Sequence, residues 1–209
     1  MRLAVYGGSF NPVHCGHLSV ADEALSLGYD KLLFVPTFIS PHKHLTASVS
    51  PSSRLAMLEA AIAGNPKFEI EPCELQRGGV SYTIDTAREI AAENPGAKLY
   101  FVVGEDAAEG VHLWKDHEEL AKLVEFAVYP RTKESSTEIR ELFEKGKVVF
   151  NGDEKIVKVV KDGLVRKHGF CPCRLPKLPE FFCPCDEFKA QLADPSYHGF
   201  CHCRLYLKP

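Results

Sequence analysis

Short apolar runs alternate along the chain with longer stretches in which apolar positions recur every three or four residues. LAVYGG (3–8) is a continuous apolar run ending in two glycines, the pattern of a buried strand. Over 16–28, Leu18, Ala21, Ala24 and Leu25 fall on one helical face. KLLFVPT (31–37) repeats the strand pattern, TFISPHKHL reads as a loop, and a helix is expected near 51–64 behind the capping stretch SPSSR. FEIEPCEL (68–75) predicts another strand. SYTIDTAREIAAENP (81–95) predicts a helix that stops before Pro95, and KLYFVVGED (98–106) an apolar strand closed by glycine and acids. A short helix (117–124), a strand (EFAVYPR, 125–131) and a helix over SSTEIRELFEKG (135–146), with Gly146 as its end signal, complete the series.

Strands alternating with helices, with glycine and acidic residues at the strands' carboxyl ends, predict an α/β fold: a doubly wound parallel sheet that binds ligands at those ends. Around Asn151-Gly152 the rhythm breaks. One helix (153–168) is expected there, followed by a cysteine-rich stretch. The expected boundary separates a domain over 1–148 from a small, helical C-terminal domain over 149–209.

The chain has 209 residues, 45% hydrophobic and 25% charged, the balance of a soluble globular protein. No apolar run approaches the ~18 residues of a membrane span. MRLAVYGGSF is too short in its apolar part and too glycine-rich for a secretory signal. A cytoplasmic protein without a membrane partner is expected. The net charge of −3 divides into −6 over residues 1–150 and +3 over 151–209. No basic stripe with interleaved aromatics suggests a nucleic-acid partner.

The candidate chemistry begins at GGSFNPVHCGHL (7–18), which joins the first strand to the first helix. Gly7 and Gly8 let backbone approach a ligand, and the helix N-terminus offers unpaired N–H groups to phosphate. His14 and His17 are three apart, so both can project from one side of the first turn. Two imidazoles there can stabilise charge developing on a phosphate oxygen. SSTEIR (135–140) supplies a second anion site, with capping hydroxyls at a helix start and Arg140 one turn on.

With these residues the chain resembles the HxGH nucleotidyltransferase superfamily, and within it the nicotinate-nucleotide adenylyltransferases. The matching stretches are ISPHK (39–43), RGGVSYTIDT (77–86), LYFVVGEDA (99–107) and LWKDHEEL (113–120), covering nearly all of residues 1–145. The resemblance implies a Rossmann-like fold of nucleotidyltransferase type. It implies transfer of AMP from ATP, with Mg²⁺, to nicotinate mononucleotide, giving deamido-NAD and pyrophosphate in NAD biosynthesis. His14 and His17 would act at the α-phosphate, and Lys43, Ser136, Thr137 and Arg140 at the β- and γ-phosphates. Gly7, Gly8, Ser9, Phe10 and Ser135 would belong to the nucleotide site, and Asp106 would meet a ribose. Thr86 and Trp114 would meet the nicotinate ring, Trp114 by stacking. One departure is plain. The family places several tens of residues between the strand ending at VYPR and the second signature, whereas here YPRTKE leads straight into SSTEIR.

Six of the eight cysteines lie in the last 39 residues, as CPC-x9-CPC-x15-CHC. Zinc prefers wider Cys-x₂₋₄-Cys pairs, a disulfide within Cys-x-Cys is strained, and a [4Fe–4S] cluster uses four thiolates and leaves two over. The motif resembles the catalytic subunit of ferredoxin:thioredoxin reductase. That resemblance implies Cys171, Cys183, Cys185 and Cys201 as cluster ligands and Cys173 with Cys203 as the active disulfide. It implies His202 as a proton carrier beside them, a ferredoxin-like electron donor and a thioredoxin-like disulfide substrate. The two single cysteines, Cys15 and Cys73, read as small buried residues.

Three readings follow. The first is a bifunctional chain, an adenylyltransferase joined to an iron–sulfur disulfide reductase. The second is such a reductase whose N-terminal domain only binds nucleotide. The third is a zinc-stabilised nucleotide-binding regulator.

Overall fold

The computed structural model describes residues 1–41, 49–130, 135–144, 149–150, 152–166 and 185–209. Five strands form a parallel sheet: β1 (Arg2–Gly8), β2 (Lys31–Pro36), β3 (Phe68–Ile70), β4 (Lys98–Gly104) and β5 (Val124–Tyr129). Their order is β3-β2-β1-β4-β5. The order reverses between β1 and β4, and a sheet of this kind opens its ligand crevice at that point.

Strand periodicity explains the two cores. Successive side chains point to opposite faces. Ala4, Phe34, Tyr100 and Val102 therefore pack on one face with Leu18, Ala21 and Ala24 of α1 (Cys15–Ser26) and Leu58 and Ile62 of α2 (Pro51–Ile62). Leu3, Val5, Leu33, Val35, Leu99 and Phe101 pack on the other. They meet Cys73 of α3 (Cys73–Arg77), Ile84, Ala87 and Ile90 of α4 (Thr83–Glu93) and Leu120 of α6 (His117–Leu123). Both faces are covered, as the continuous apolar runs require. A four-residue helix, α5 (Glu105–Ala108), and a 3₁₀ turn (Val111–Leu113) follow β4. The strand expected over 68–75 is shorter than its sequence suggested. The N–H of Glu71 donates to Phe34 O at 2.9 Å, and Pro72 then has no N–H to continue the ladder. Pro72 instead caps α3, and the Glu71 carboxylate takes the Cys73 N–H at 3.1 Å.

Beyond α7 (Ser136–Glu144) come β6 (Val149–Phe150), α8 (Glu154–Arg166), α9 (Asp186–Ala193), β7 (Gly199–Phe200) and β8 (Tyr206–Lys208). The C-terminal part is not purely helical, as the sequence reading expected. Its three short strands make an antiparallel sheet, order β6-β8-β7. Strands of two or three residues are too short to show a period. Val160 of α8, Phe188 of α9 and Leu205 bury a small core with three cysteines. Lys208 Nζ donates to the carbonyls of Gln191 and Leu192 at 3.4 and 3.3 Å, closing the C-terminal end of α9.

Candidate active site

The crevice at the β1–β4 switch is a cleft of about 1050 Å³. Gly7 and Gly8 at the end of β1 and Ser9 beyond it line it, with Gly104 at the end of β4, Asp106 of α5, Thr86 of α4 and Trp114 from the loop before α6. The glycines differ in purpose. A Cβ on Gly7 would meet nothing within 4 Å, so that backbone faces open cleft. A Cβ on Gly8 would stand 3.1 Å from the Phe10 ring, and one on Gly104 2.9 Å from Asp106 Oδ1. Phe10 does not line the cleft. It is 1% exposed in the core behind it, edge-on to His17 at 5.0 Å and to Phe34 at 5.6 Å.

His14 is the N-cap of α1, and its backbone N–H donates to His17 Nδ1 at 3.2 Å. The two rings lie 3.8 Å apart, centroid to centroid. An Nδ1 that accepts carries no proton, so a neutral His17 bears its proton on Nε2. The turn that forms the helix thus selects the tautomer, and His17 presents Nε2–H as a donor.

The second signature comes to the same turn. Ser136 Oγ donates to Pro12 O at 2.9 Å, and Arg140 donates to Asn11 O and, at 3.1 Å, to Thr137 Oγ1. Residues 124 and 129 positions apart in sequence are therefore held together. Ser135 precedes this helix, and its carbonyl accepts from the Ile139 N–H. Lys43 lies outside the described residues.

Two residues in this region escaped the sequence reading. Arg54 is 4% exposed and donates to Ser9 O at 2.7 Å, bracing the glycine turn from α2. Burial lowers its pKa. The available signal was an arginine on the same helical stripe as Leu58 and Ile62. Glu74, hidden in a stretch read as strand, is 6% exposed and lines the cleft. Its Oε1 accepts from Thr86 Oγ1 at 2.7 Å, while Arg77 donates to that same hydroxyl at 3.0 Å. Thr86 is 1% exposed, so its hydroxyl is committed to this network. Thr86→Val keeps the shape and leaves a buried carboxylate and a guanidinium without their shared partner. The two losses cost about 2–6 kcal/mol together, so the Tm should fall by at least roughly 4–8 °C in a chain of this size. An unchanged melting curve would show that the network is not coupled to folding.

Trp114 both lines the cleft and packs edge-on against Phe126 at 6.0 Å. Lys115 beside it reaches Asp85 at 3.3 Å and lies over the Tyr82 ring at 4.6 Å. Cys73 is buried, and burial with the Glu71, Glu89 and Glu74 carboxylates pushes its thiol up to about 12. It and the buried Cys15 behave as small core residues.

In the C-terminal part, Cys185, Cys201 and Cys203 are all buried in one cluster. Cys201 and Cys203 sit on the turn between β7 and β8, Sγ to Sγ 3.5 Å. The Tyr206 N–H donates to Cys201 Sγ at 3.2 Å. The Cys203 thiol, and then backbone N–H groups, hold Cys201 well below the usual thiol range against the opposing effect of burial. His202, between the two cysteines, is exposed. Cys171, Cys173 and Cys183 lie outside the described residues. Among the described residues no three His, Cys, Asp or Glu side chains are grouped to hold a metal, and no helix is long and apolar enough to cross a membrane.

The family model described as cytidylyltransferase-like matches residues 5–162. The chain belongs to the cytidylyltransferase-like family. It is 46% identical over 136 residues to a Treponema pallidum protein named "Probable nicotinate-nucleotide adenylyltransferase", a match covering 63% of this chain and 66% of that one. To an Opitutus terrae protein of the same name it is 42% identical over 132 residues, covering 63% and 68%. The chain thus spans about two thirds of the length of these curated relatives. Among solved structures it is similar to the Plasmodium falciparum nicotinic acid mononucleotide adenylyltransferase complexed with NaAD. The TM-score is 0.57 at 19% identity, over 80% of this chain and 93% of that one. That likeness establishes the parallel α/β fold.

Proposed function

We propose that residues 1–148 transfer AMP from MgATP to nicotinate mononucleotide, giving deamido-NAD and pyrophosphate. The observation that carries this reading is the junction of the two anion motifs, Ser136 and Arg140 on the carbonyls of Pro12 and Asn11, beside a cleft lined by Trp114 and Thr86. The names of the 46% and 42% identical relatives support it.

In this reading a phosphate oxygen of the mononucleotide attacks the α-phosphorus of ATP. The new P–O bond forms as the bond to pyrophosphate breaks, with no covalent enzyme intermediate. The protein contributes orientation and electrostatics. The Nε2–H of His17 donates to oxygen as negative charge gathers there, and His14 supports the same region. Ser135, Ser136, Thr137, Arg140 and Lys43 hold the departing phosphates. The backbone of Gly7, Gly8 and Ser9 lies along the nucleotide, Phe10 supports His17 from behind, and Asp106 takes a ribose hydroxyl. The nicotinate ring stacks on Trp114 beside Thr86. The test is incubation with MgATP and nicotinate mononucleotide, with deamido-NAD read by chromatography and pyrophosphate by a coupled assay. Absence of both products would leave only a nucleotide-binding domain.

A second reading concerns residues 149–209, which we take as a separate module because β6 pairs with β8 of the C-terminal sheet. We propose that it holds a [4Fe–4S] cluster through Cys171, Cys183, Cys185 and Cys201. The buried thiols and the Tyr206 N–H on Cys201 Sγ fit that donor set, since soft thiolates and N–H···S bonds suit iron–sulfur centres. Bound there, the cluster would supply single electrons. Cys173 and Cys203 would then exchange with a thioredoxin-like disulfide, and exposed His202 would carry the proton. A ferredoxin-like protein would be the donor.

A further inference from the structure

The wall of the cleft holds a buried polar atom for which neither motif accounts. Glu74 Oε2 is buried and has no hydrogen-bond partner among the described residues, although its residue lines the cleft. A carboxylate that is 94% removed from solvent and half satisfied is costly to leave so. Its other oxygen is not free to turn, because Thr86 donates to it.

That bond runs from Thr86 to Glu74, since an ionised carboxylate only accepts. Arg77 carries only donors and already donates to Thr86 Oγ1. Of the two acceptors within its reach, Glu74 Oε1 at 2.7 Å and Tyr82 O at 3.5 Å, the threonine proton takes the nearer. This arrangement locks one carboxylate oxygen inward and leaves the other as an acceptor. Arg77 itself is held by Glu89 and does not turn to neutralise Oε2.

We propose that Glu74 is a specificity-determining residue of the cleft: its Oε2 accepts a hydrogen bond from an O–H or N–H of the bound pyridine mononucleotide. This rests on the adenylyltransferase reading. A pyridine mononucleotide offers two kinds of donor, the ribose hydroxyls and, in the amide form only, a carboxamide N–H. A nicotinate carboxylate offers none, and against Oε2 it would place two anions together. Glu74 thereby sets which edge of the ligand can lie beside α3.

The test is Glu74→Gln. With the Thr86 proton kept on residue 74, the nearer of its two acceptors, the glutamine carbonyl faces Thr86 and its NH₂ takes the place of Oε2. The variant turns the buried acceptor of the cleft wall into a donor with little change of shape. Binding of nicotinate mononucleotide and nicotinamide mononucleotide is read separately from turnover, through quenching of Trp114, the single tryptophan. KM and kcat are measured alongside.

A ribose donor predicts that both mononucleotides bind about 10- to 100-fold more weakly, with the KM for ATP and the Tm nearly unchanged. A carboxamide donor predicts that loss for the amide form alone. Either result supports the proposal. Unchanged affinity for both ligands, or tighter binding of nicotinate mononucleotide, would overturn it. A wild-type chain that binds neither mononucleotide would instead defeat the adenylyltransferase reading. Glu74→Ala serves as control, since a merely structural role lowers its Tm without moving the affinities in Glu74→Gln.

Discussion

His17→Ala should lower kcat for adenylyl transfer by about 10²- to 10³-fold, the usual cost of deleting one donor aimed at developing charge. KM for ATP and for nicotinate mononucleotide should move by only a few-fold, because the Nε2–H is needed most where charge gathers in the transition state. The ring has a second duty that the variant also removes. His17 Nδ1 accepts the His14 N–H at the start of α1, and its face packs on Phe10. Some stability is therefore lost with the activity. His17→Asn separates the two effects. Its side-chain oxygen can still accept from His14, so the Tm should recover while kcat stays low. Turnover within threefold of wild type in His17→Ala would remove His17 from the mechanism and leave the HCGH turn as a cap.

The fold was legible in the sequence because it is built from long, strongly patterned elements. LAVYGG and KLLFVPT are continuous apolar runs, and both became central strands covered on two faces. The elements that were misread are those in which one residue outweighs the local pattern. Pro72 closed off β3 after three residues, and CELQR behind it formed a helix. The C-terminal strands were missed because two or three residues carry no period, and they exist only as partners of one another.

The site divides in the same way. The glycine turn and the paired histidines were legible because two adjacent glycines and two imidazoles three residues apart stand at fixed spacing in the sequence. The role of Phe10 did not. In sequence it belongs to the motif, yet in space it is core, supporting His17 from behind. Arg54 and Glu74 were invisible for a related reason. Each acts through one long-range hydrogen bond, to Ser9 and to Thr86, and such a bond leaves no spacing to recognise. An arginine on an apolar stripe was the one available hint.

The second large effect is expected at the other end of the chain. Purified without oxygen, the full protein should carry about four iron and four sulfide, and Cys201→Ser should lose most of both. Serine is a suitable probe because its oxygen can still accept the Tyr206 N–H that now reaches Cys201 Sγ, so the β7–β8 turn is preserved. What changes is softness: a serine oxygen is a poor ligand for iron that prefers thiolate. The burial of Cys185, Cys201 and Cys203 with Phe188 and Leu205 adds a structural consequence. If the cluster helps to fold this small core, its loss should open the module to proteolysis between residues 149 and 209. The sheet of residues 1–148 should remain protected and adenylyl transfer should persist, since neither of its cores includes a C-terminal cysteine. One zinc in place of iron would favour the zinc-stabilised regulator and end the reductase reading. No metal at all, with Cys201 and Cys203 titrating as free thiols, would end both. The 3.5 Å approach of those two sulfurs would then describe a thiol pair in contact, well beyond the ~2.05 Å of a disulfide bond.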